Sequence, residues 1–445
     1  MTVDQAGLDV GATAWLLVSA ALVLLMAPGV AFFYGGMVRA ANVLGTIMQS
    51  FMVIGIVSVL WVAVGFSLAF GQGNQFIGGF DLAGLPDLSA TVPGIHLGGV
   101  PLLAFVVFQM MFAVITPALI TGAGAERWRF GASVFFVAAW SLLVYAPIAH
   151  WLFSPQGWAA KLGALDFAGG AVVHASAGAA ALALAARLGR RVGWGDPQMR
   201  PHNLPLVLIG TSLLWFGWFG FNGGSALTAN GVATLAVVNT QVAAATALMS
   251  WAIAERIRFG KPTTLGAASG AIAGLVAITP AAGYVTPVGA IAIGAIAGVF
   301  CHLAVGLKAV FRVDDSLDVT AVHLGGGLVG CLCVGLFASR DANPAGADGL
   351  FSGGGYRQLG LQALAVCVVI AYSMLMTLLI SSIANRIIGN RVTPREEAIG
   401  LDLSQHGESA YTFTPPAAPI AARGVEHVPV HAVSAPADRT RTQGR

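Results

Sequence analysis

Apolar residues along this chain come in long runs interrupted by short polar stretches. Eleven runs can be bounded, at roughly 12–34, 44–70, 101–123, 131–152, 168–188, 204–221, 231–254, 264–280, 287–307, 319–338 and 358–388. Their lengths suit helices that cross a bilayer, for which about 20 apolar residues are needed. Helices are the element to expect, because a backbone in lipid must satisfy its own N–H and C=O groups. The pattern predicts an all-α integral membrane protein with eleven transmembrane helices. Pro28, Pro117 and Pro147 fall inside runs, where neighbouring helices can satisfy the backbone groups a proline frees.

Composition narrows the class. Of 445 residues, 57% are hydrophobic and only 9% charged, against about 25% charged in soluble domains. The four cysteines (Cys301, Cys331, Cys333, Cys367) all lie in apolar runs, which is no secreted disulfide framework and no zinc knuckle. The opening "MTVDQAGLDV" has no basic residue, so residues 15–34 read as a retained first span and not a cleaved signal. No helix-turn-helix, zinc finger or phosphate loop is present, and the Gly-rich "GLFSGGGYRQ" follows no strand. Nucleic-acid and nucleotide binding are therefore not expected.

Charge placement orients the bundle. With the N-terminus outside, the inner loops hold Arg39, Arg127, Arg129, Arg187, Arg190, Arg191, Arg200, Arg256, Arg258, Lys261, Lys308 and Arg312. The outer loops hold Lys161, Arg340 and Arg357, three cations against twelve. The positive-inside rule favours N-out and C-in, and an odd number of spans requires such opposite ends. Residues 1–390 form the expected transmembrane domain. Segment 391–413, "RVTPREEAIGLDLSQHGESAYTF", is charged. Residues 414–445 are rich in Pro, Ala and Arg with little to bury, a composition expected to be disordered.

Two histidines stand inside the spans. "ALDFAGGAVVHASAG" (164–178) and "SLDVTAVHLGGGLVG" (316–330) each have LD upstream, then Val-His, then Gly four residues after the His. The Asp-to-His spacing differs, eight for Asp166 and His174 and five for Asp318 and His323. The motifs fall in the fifth and tenth spans. A five-span unit repeated in one chain must insert with opposite orientation, which predicts two inverted five-helix repeats plus a final helix, with the site at their interface. His174 and His323 would then meet near the axis and line a path; the competing expectation is two separate core histidines bonded to backbone carbonyls. Each neutral imidazole has one donor and one acceptor nitrogen, so two rings can share a proton. Two histidines without a third ligand make a poor zinc site, and no metal or cofactor is expected.

Aromatic residues add a second layer. Phe108 and Phe112 are four apart, Trp218 and Phe221 three apart, Ser225 follows in the next outer segment, and Trp151 and Phe153 end the fourth span at the outer surface. Singly each suits packing; clustered at one mouth they would attract a small cation through their ring faces.

Here a resemblance becomes specific. "MAPGVAFFYGG" (26–36), "FQMMFAVIT" (108–116), "GAGAERWRF" (122–130), "DFAGGAVVH" (166–174), "WFGFNGGSA" (218–226), "SGAIAGLVAITPAAGY" (269–284), "RVDDSLDVTAVHLGGG" (312–327) and "GLDLSQHGESAY" (400–411) resemble the Amt/Mep/Rh ammonium transporter family, on the bacterial Amt side. The resemblance covers nearly the whole chain. It implies a homotrimer in the cell membrane, in bacteria the inner membrane, of eleven-helix subunits each with a narrow apolar pore. It implies ammonium recruitment by Ser225, Phe112 and Phe153, with Asp166 below the mouth supporting recruitment or the fifth helix, a gate of Phe112 and Phe221 with Phe108 and Trp218 beside it, and a pore lined by His174 and His323. Asp318 would be the matching acid of the second half. Ammonium would lose its proton and cross as ammonia, with or without separate proton transfer. The tail segment would be a cytoplasmic regulatory element where a PII signalling protein docks, bringing Glu396, Glu397, Asp402 and Glu408 beside the basic inner loops. One position departs. The family's recruiting aromatic is usually Trp, and here "HWLF" places Phe153 there, with Trp151 and Trp158 as candidate substitutes. Two other classes stand beside this reading: a receptor reporting ammonium through its tail, and a channel for water or a small gas.

Overall fold

Each of the eleven apolar runs is a helix in the computed structural model, which describes residues 7–87, 91–196 and 199–411. The helices are α1 (Val10–Met37), α2 (Ala40–Phe70), α3 (Leu102–Gly124), α4 (Phe130–Leu162), α5 (Gly170–Leu188), α6 (Leu204–Gly224), α7 (Gly231–Phe259), α8 (Thr264–Ile278), α9 (Pro287–Val310), α10 (Thr320–Phe337) and α11 (Arg357–Ile387). Ten are long and apolar enough to cross a membrane. The exception is α8, with 15 residues, about 22 Å at the helical rise of about 1.5 Å per residue. A short helix, α12 (Pro394–Ile399), follows, and the compact body ends at Ala410. The expected disordered tail, 414–445, lies outside the described residues.

Helix starts follow local chemistry. Asp9, Asn203, Asn230, Thr263 and Thr286 cap α1, α6, α7, α8 and α9, each side chain accepting from a backbone N–H of the first turn; such caps satisfy donors that a helix leaves orphaned. The apolar run of α7 ends near 254, yet the helix continues to Phe259 and stops at Gly260, whose φ is +80°. Arg256 and Arg258, expected in a loop, therefore sit in its last turn, where cations face the negative end of the helix.

Small residues set the closest approaches. A Cβ on Gly210 of α6 would overlap the backbone of Phe33 and Gly29 in α1, and one on Gly220 would meet Ser19 and Leu22. α5 and α10 touch reciprocally. A Cβ on Gly178 would strike the backbone of Leu324, the residue after His323, and one on Gly327 would crowd the backbone of Ala175, the residue after His174. The glycine four positions past each histidine is thus the contact point on the other helix.

Candidate functional site

α5 and α10 both open with a π-helical turn, at Gly170–Ala175 and Thr320–Leu324, and each turn carries a histidine. Such wide turns re-aim side chains and often mark functional positions. The two imidazoles meet. His174 Nδ1 lies 3.3 Å from His323 Nδ1, with ring centroids 5.4 Å apart and planes 24° from parallel. Both are buried, at 1% and 5% exposure. In this contact one ring donates and the other accepts. His174 Nε2 is buried and has no hydrogen-bond partner among the described residues. The expectation of two separate carbonyl-bonded histidines is not what the structure places here.

Aromatic rings continue the stack from His174. Trp218 lies 5.2 Å away and nearly parallel, and Phe221 lies at 5.9 Å. Phe221 stacks on Phe112 at 4.2 Å. Phe112 is edge-on to Phe108 at 4.9 Å and to Phe153 at 6.4 Å. Trp218 is fixed by its indole N–H, which donates to Thr279 Oγ1 at 2.9 Å, a partner no motif announced. Phe108, Phe112, Trp218 and Phe221 are all buried, whereas Phe153 at the end of the column is half-buried. Ser225 Oγ donates to the Phe221 carbonyl at 2.8 Å, which leaves the lone pairs of its oxygen for an external donor.

One expectation at this end needs correction, and for Asp166 the geometry favours support of the fifth helix. Trp151, expected at the surface, is buried. Its indole N–H donates to Phe76 O at 2.7 Å, and its ring packs on Tyr372 and Trp158. Phe153 is the ring of that pair that faces Phe112. Asp166 accepts from the backbone N–H groups of Gly169, Gly170, Ala171 and Val172 at 2.6–3.0 Å. All its bonds hold the start of α5, so its support for the mouth is indirect.

The counterpart of Asp166 is also corrected. Asp315, and not Asp318, stands eight residues before its histidine. It is buried and accepts from Thr320 N at the start of α10. Matching the two LD pairs had hidden this, whereas counting back eight from each histidine finds it. Asp318 does something else. Its backbone has φ +61°, and its carboxylate pairs with Lys308 Nζ.

The column opens into two cavities. A narrow one of about 20 Å³ is lined by His174, His323, Trp218, Phe33, Tyr34, Leu119, Val319, Val322 and Asp318 among others. That is room for about one water-sized molecule, in mostly apolar walls. A wider one of about 270 Å³ is lined by Arg39, Glu126, Arg191, Asp196, Arg200, Lys308, Ser316 and Asp318. Here the loops α1–α2, α3–α4, α5–α6 and α9–α10 are tied together. Glu126 Oε2 meets Arg39 at 3.1 Å and Arg191 at 3.2 Å. Arg191 grips both oxygens of Asp314 at 2.9 Å. Burial would raise the Asp314 carboxyl, but the Arg191 hydrogen bonds and charge bring it below its ordinary value. Arg127, expected in a basic rim, is wholly buried. It donates to Asp314 O, Gly189 O and Ser316 Oγ, and burial draws its guanidinium down to about 10.

The segment after α11 packs on the start of α2 and on the α5–α6 loop. Asp402 Oδ1 accepts from Gly45 N at 2.8 Å, and Leu401 N donates to Asn42 Oδ1 at 2.8 Å. Glu397 accepts from Val192 N and pairs with Arg391 at 2.7 Å. Of the acids expected beside basic loops, Glu396 instead caps its own helix through Thr393, and Asp402 takes a backbone N–H. The Glu396 carboxyl lies below its ordinary value chiefly because of the Thr393 bonds.

Comparison with known proteins agrees across the whole body. The model of the Ammonium Transporter Family matches residues 14–411. An ammonium transporter of Mycobacterium tuberculosis (strain ATCC 25618 / H37Rv) is 52% identical, covering 91% of each chain. One of Bacillus subtilis (strain 168) is 49% identical, covering 91% of this chain and 99% of that one. The crystal structure of Saccharomyces cerevisiae Mep2 superposes with a TM-score of 0.83 at 36% identity, over 88% of this chain and 91% of that one.

Proposed function

Because the chain belongs to the ammonium transporter family, as a multi-pass membrane transporter and not an enzyme, we propose that the column of rings is its ammonium pathway. The observation that carries this is the unbroken contact from Phe153 through Phe112 and Phe221 to His174 and His323. The ion is recruited at the Phe153 end, by ring faces and the Ser225 oxygen, with Asp166 holding α5 beneath it. Ring contacts of this kind are worth about 0.5–2 kcal/mol each. An intact ammonium ion in the narrow cavity would lose nearly all its water, an expense on the order of tens of kcal/mol in the Born limit. Ammonia avoids most of it. The ion therefore gives up a proton near Phe112 and Phe221, and ammonia passes the imidazoles one molecule at a time. The Nδ1–Nδ1 contact supplies one donor and one acceptor, so the proton follows by the same pair and net charge moves.

The rest of the molecule serves that pathway. We read eleven spans with α8 as a short one, two inverted five-helix repeats (α1–α5 and α6–α10) meeting at the histidines, and α11 outside them. The reciprocal glycine contacts of α5 and α10 support this. Residues 1–390 are the transmembrane domain with N-out and C-in, the subunits form a homotrimer, and 391–413 is a cytoplasmic regulatory segment on which a PII protein docks.

The test is an ammonium pulse on purified protein in liposomes on a solid-supported membrane. A transient current is expected. The double variant His174→Ala/His323→Ala should fold but lose selective ammonium transport. Wild-type rate and selectivity in the double variant would overturn the pathway, and uptake without current would overturn the shared proton route alone.

A further inference from the structure

Asp318 lines both cavities. It stands with the two imidazoles in the narrow one and with the loop arginines in the wide one. It is the acid at the point where the two meet. It does not cap α10, a role Asp315 fills. Its backbone is held at φ +61°, a strained conformation for a non-glycine residue that persists where the surroundings over-determine it. Its carboxylate is filled by the Nζ of Lys308. A lysine head group is itself an alkylated ammonium ion, and three N–H donors on a compact cation are what the carboxylate would otherwise find in the transported ion.

We propose that Asp318 is an ammonium site at the vestibule end of the pathway, and that Lys308 keeps it filled with a tethered ammonium so that arriving ions leave. This rests on the reading that ammonium travels along the rings. A bare carboxylate at the foot of a narrow pore would hold each ion it receives and would let ammonium in the vestibule block the next passage. With Lys308 seated, the Asp318 carboxylate is neutralised by its own pair. In the wide cavity the Glu126 carboxylate is already occupied by Arg39 and Arg191, so it too offers a released ion no unfilled seat. The tether makes Lys308 a competitor whose effective concentration is high and constant, so free ammonium displaces it poorly. Lys308 and Asp318 are positioning residues on this account, acting on release and not on recruitment.

The test uses the full chain in liposomes of one dominant orientation, preloaded with increasing ammonium on the Lys308 side. Wild type, Lys308→Met, Lys308→Gln, Asp318→Asn and Lys308→Met/Asp318→Asn are compared. Both single lysine variants should be half-inhibited by several-fold less preloaded ammonium than wild type. Their half-saturation for ammonium added on the opposite side should not change. The double variant should return to the wild-type value, because the uncovered carboxylate is gone. An unchanged half-inhibition in whichever lysine variant retains uptake would overturn the proposal. So would an Asp318→Asn variant that behaves like Lys308→Met, since broken packing would then explain both. If wild type takes up no ammonium into empty liposomes, it is the pathway reading that fails, and the two failures are distinct.

Discussion

Phe153 is the half-buried ring at the open end of the column, where the proposed pathway would first meet its cation. It faces Phe112 across 6.4 Å, whereas Trp151 packs on Tyr372 and Trp158, and Trp158 packs on Trp151. Phe153→Trp should tighten apparent ammonium affinity by up to about 1 kcal/mol, a few-fold, read as a lower half-saturation of the transport current. An unchanged or higher value would show that the ring does not meet the ion. At this scale the sequence was informative where chemistry was unusual for its surroundings. An imidazole in an apolar run announces itself, and so does a serine after an aromatic pair. Asp315 did not, because it adjoins Asp314 and Ser316 and is overshadowed by the repeated LD. Nor did Lys308, whose partner depends on a backbone conformation that no spacing encodes.

At the scale of elements, α5 and α10 are held in register by glycines whose replacement leaves no room to relax. The neighbour of Gly178 is the backbone of Leu324 and not a flexible side chain. Gly178→Val should therefore destabilise by about 1–3 kcal/mol or more through overpacking and separate the imidazoles. Detergent-solubilised protein should melt at lower temperature, and transport should fall further than stability does. Wild-type transport in this variant would mean that the histidine contact is not needed. The helices themselves were legible because the bilayer permits few alternatives to them, so apolar length was enough. The end of α7 was not, since helix and loop share the polar residues after 254 and only Gly260 marks the stop. The glycine at four past each histidine was visible as a pattern, but its meaning appeared only when the partner backbone was in place.

Across the whole molecule, the face carrying Glu126, Arg191 and Asp314 is bound by ions drawn from four loops. The Asp314 carboxyl lies below its ordinary value, so its contribution is fully present above the ordinary carboxylate range near pH 4. It is lost as pH falls through the lowered folded value. Thermal stability should be flat from neutral pH down to about 5 and should drop below 4. Arg191→Met strands a buried carboxylate and should cost about 3–5 kcal/mol, with the melting temperature as the readout. The segment after α11 joins the same face at Asn42, Gly45 and Val192. Truncation after Arg395 removes those bonds and should reduce or uncouple transport, whereas truncation after Thr414 should be nearly silent. Equal activity of both with the full chain would make the segment idle. Its charge was legible in the sequence; its anchoring to the start of α2 was not, because those contacts join residues more than 350 positions apart.

The distance in sequence between the two imidazoles has a consequence for how the protein is made. They are 149 positions apart, and Asp318 and Gly327, the glycine that meets Ala175, enter with the second imidazole. A nascent chain that has threaded only its first half into the bilayer holds one imidazole and lacks the α10 surface that α5 meets at Gly178. On the proposed pathway no conduit is complete until the tenth helix is seated, so a ribosome that stalls midway leaves the paired imidazoles unmade.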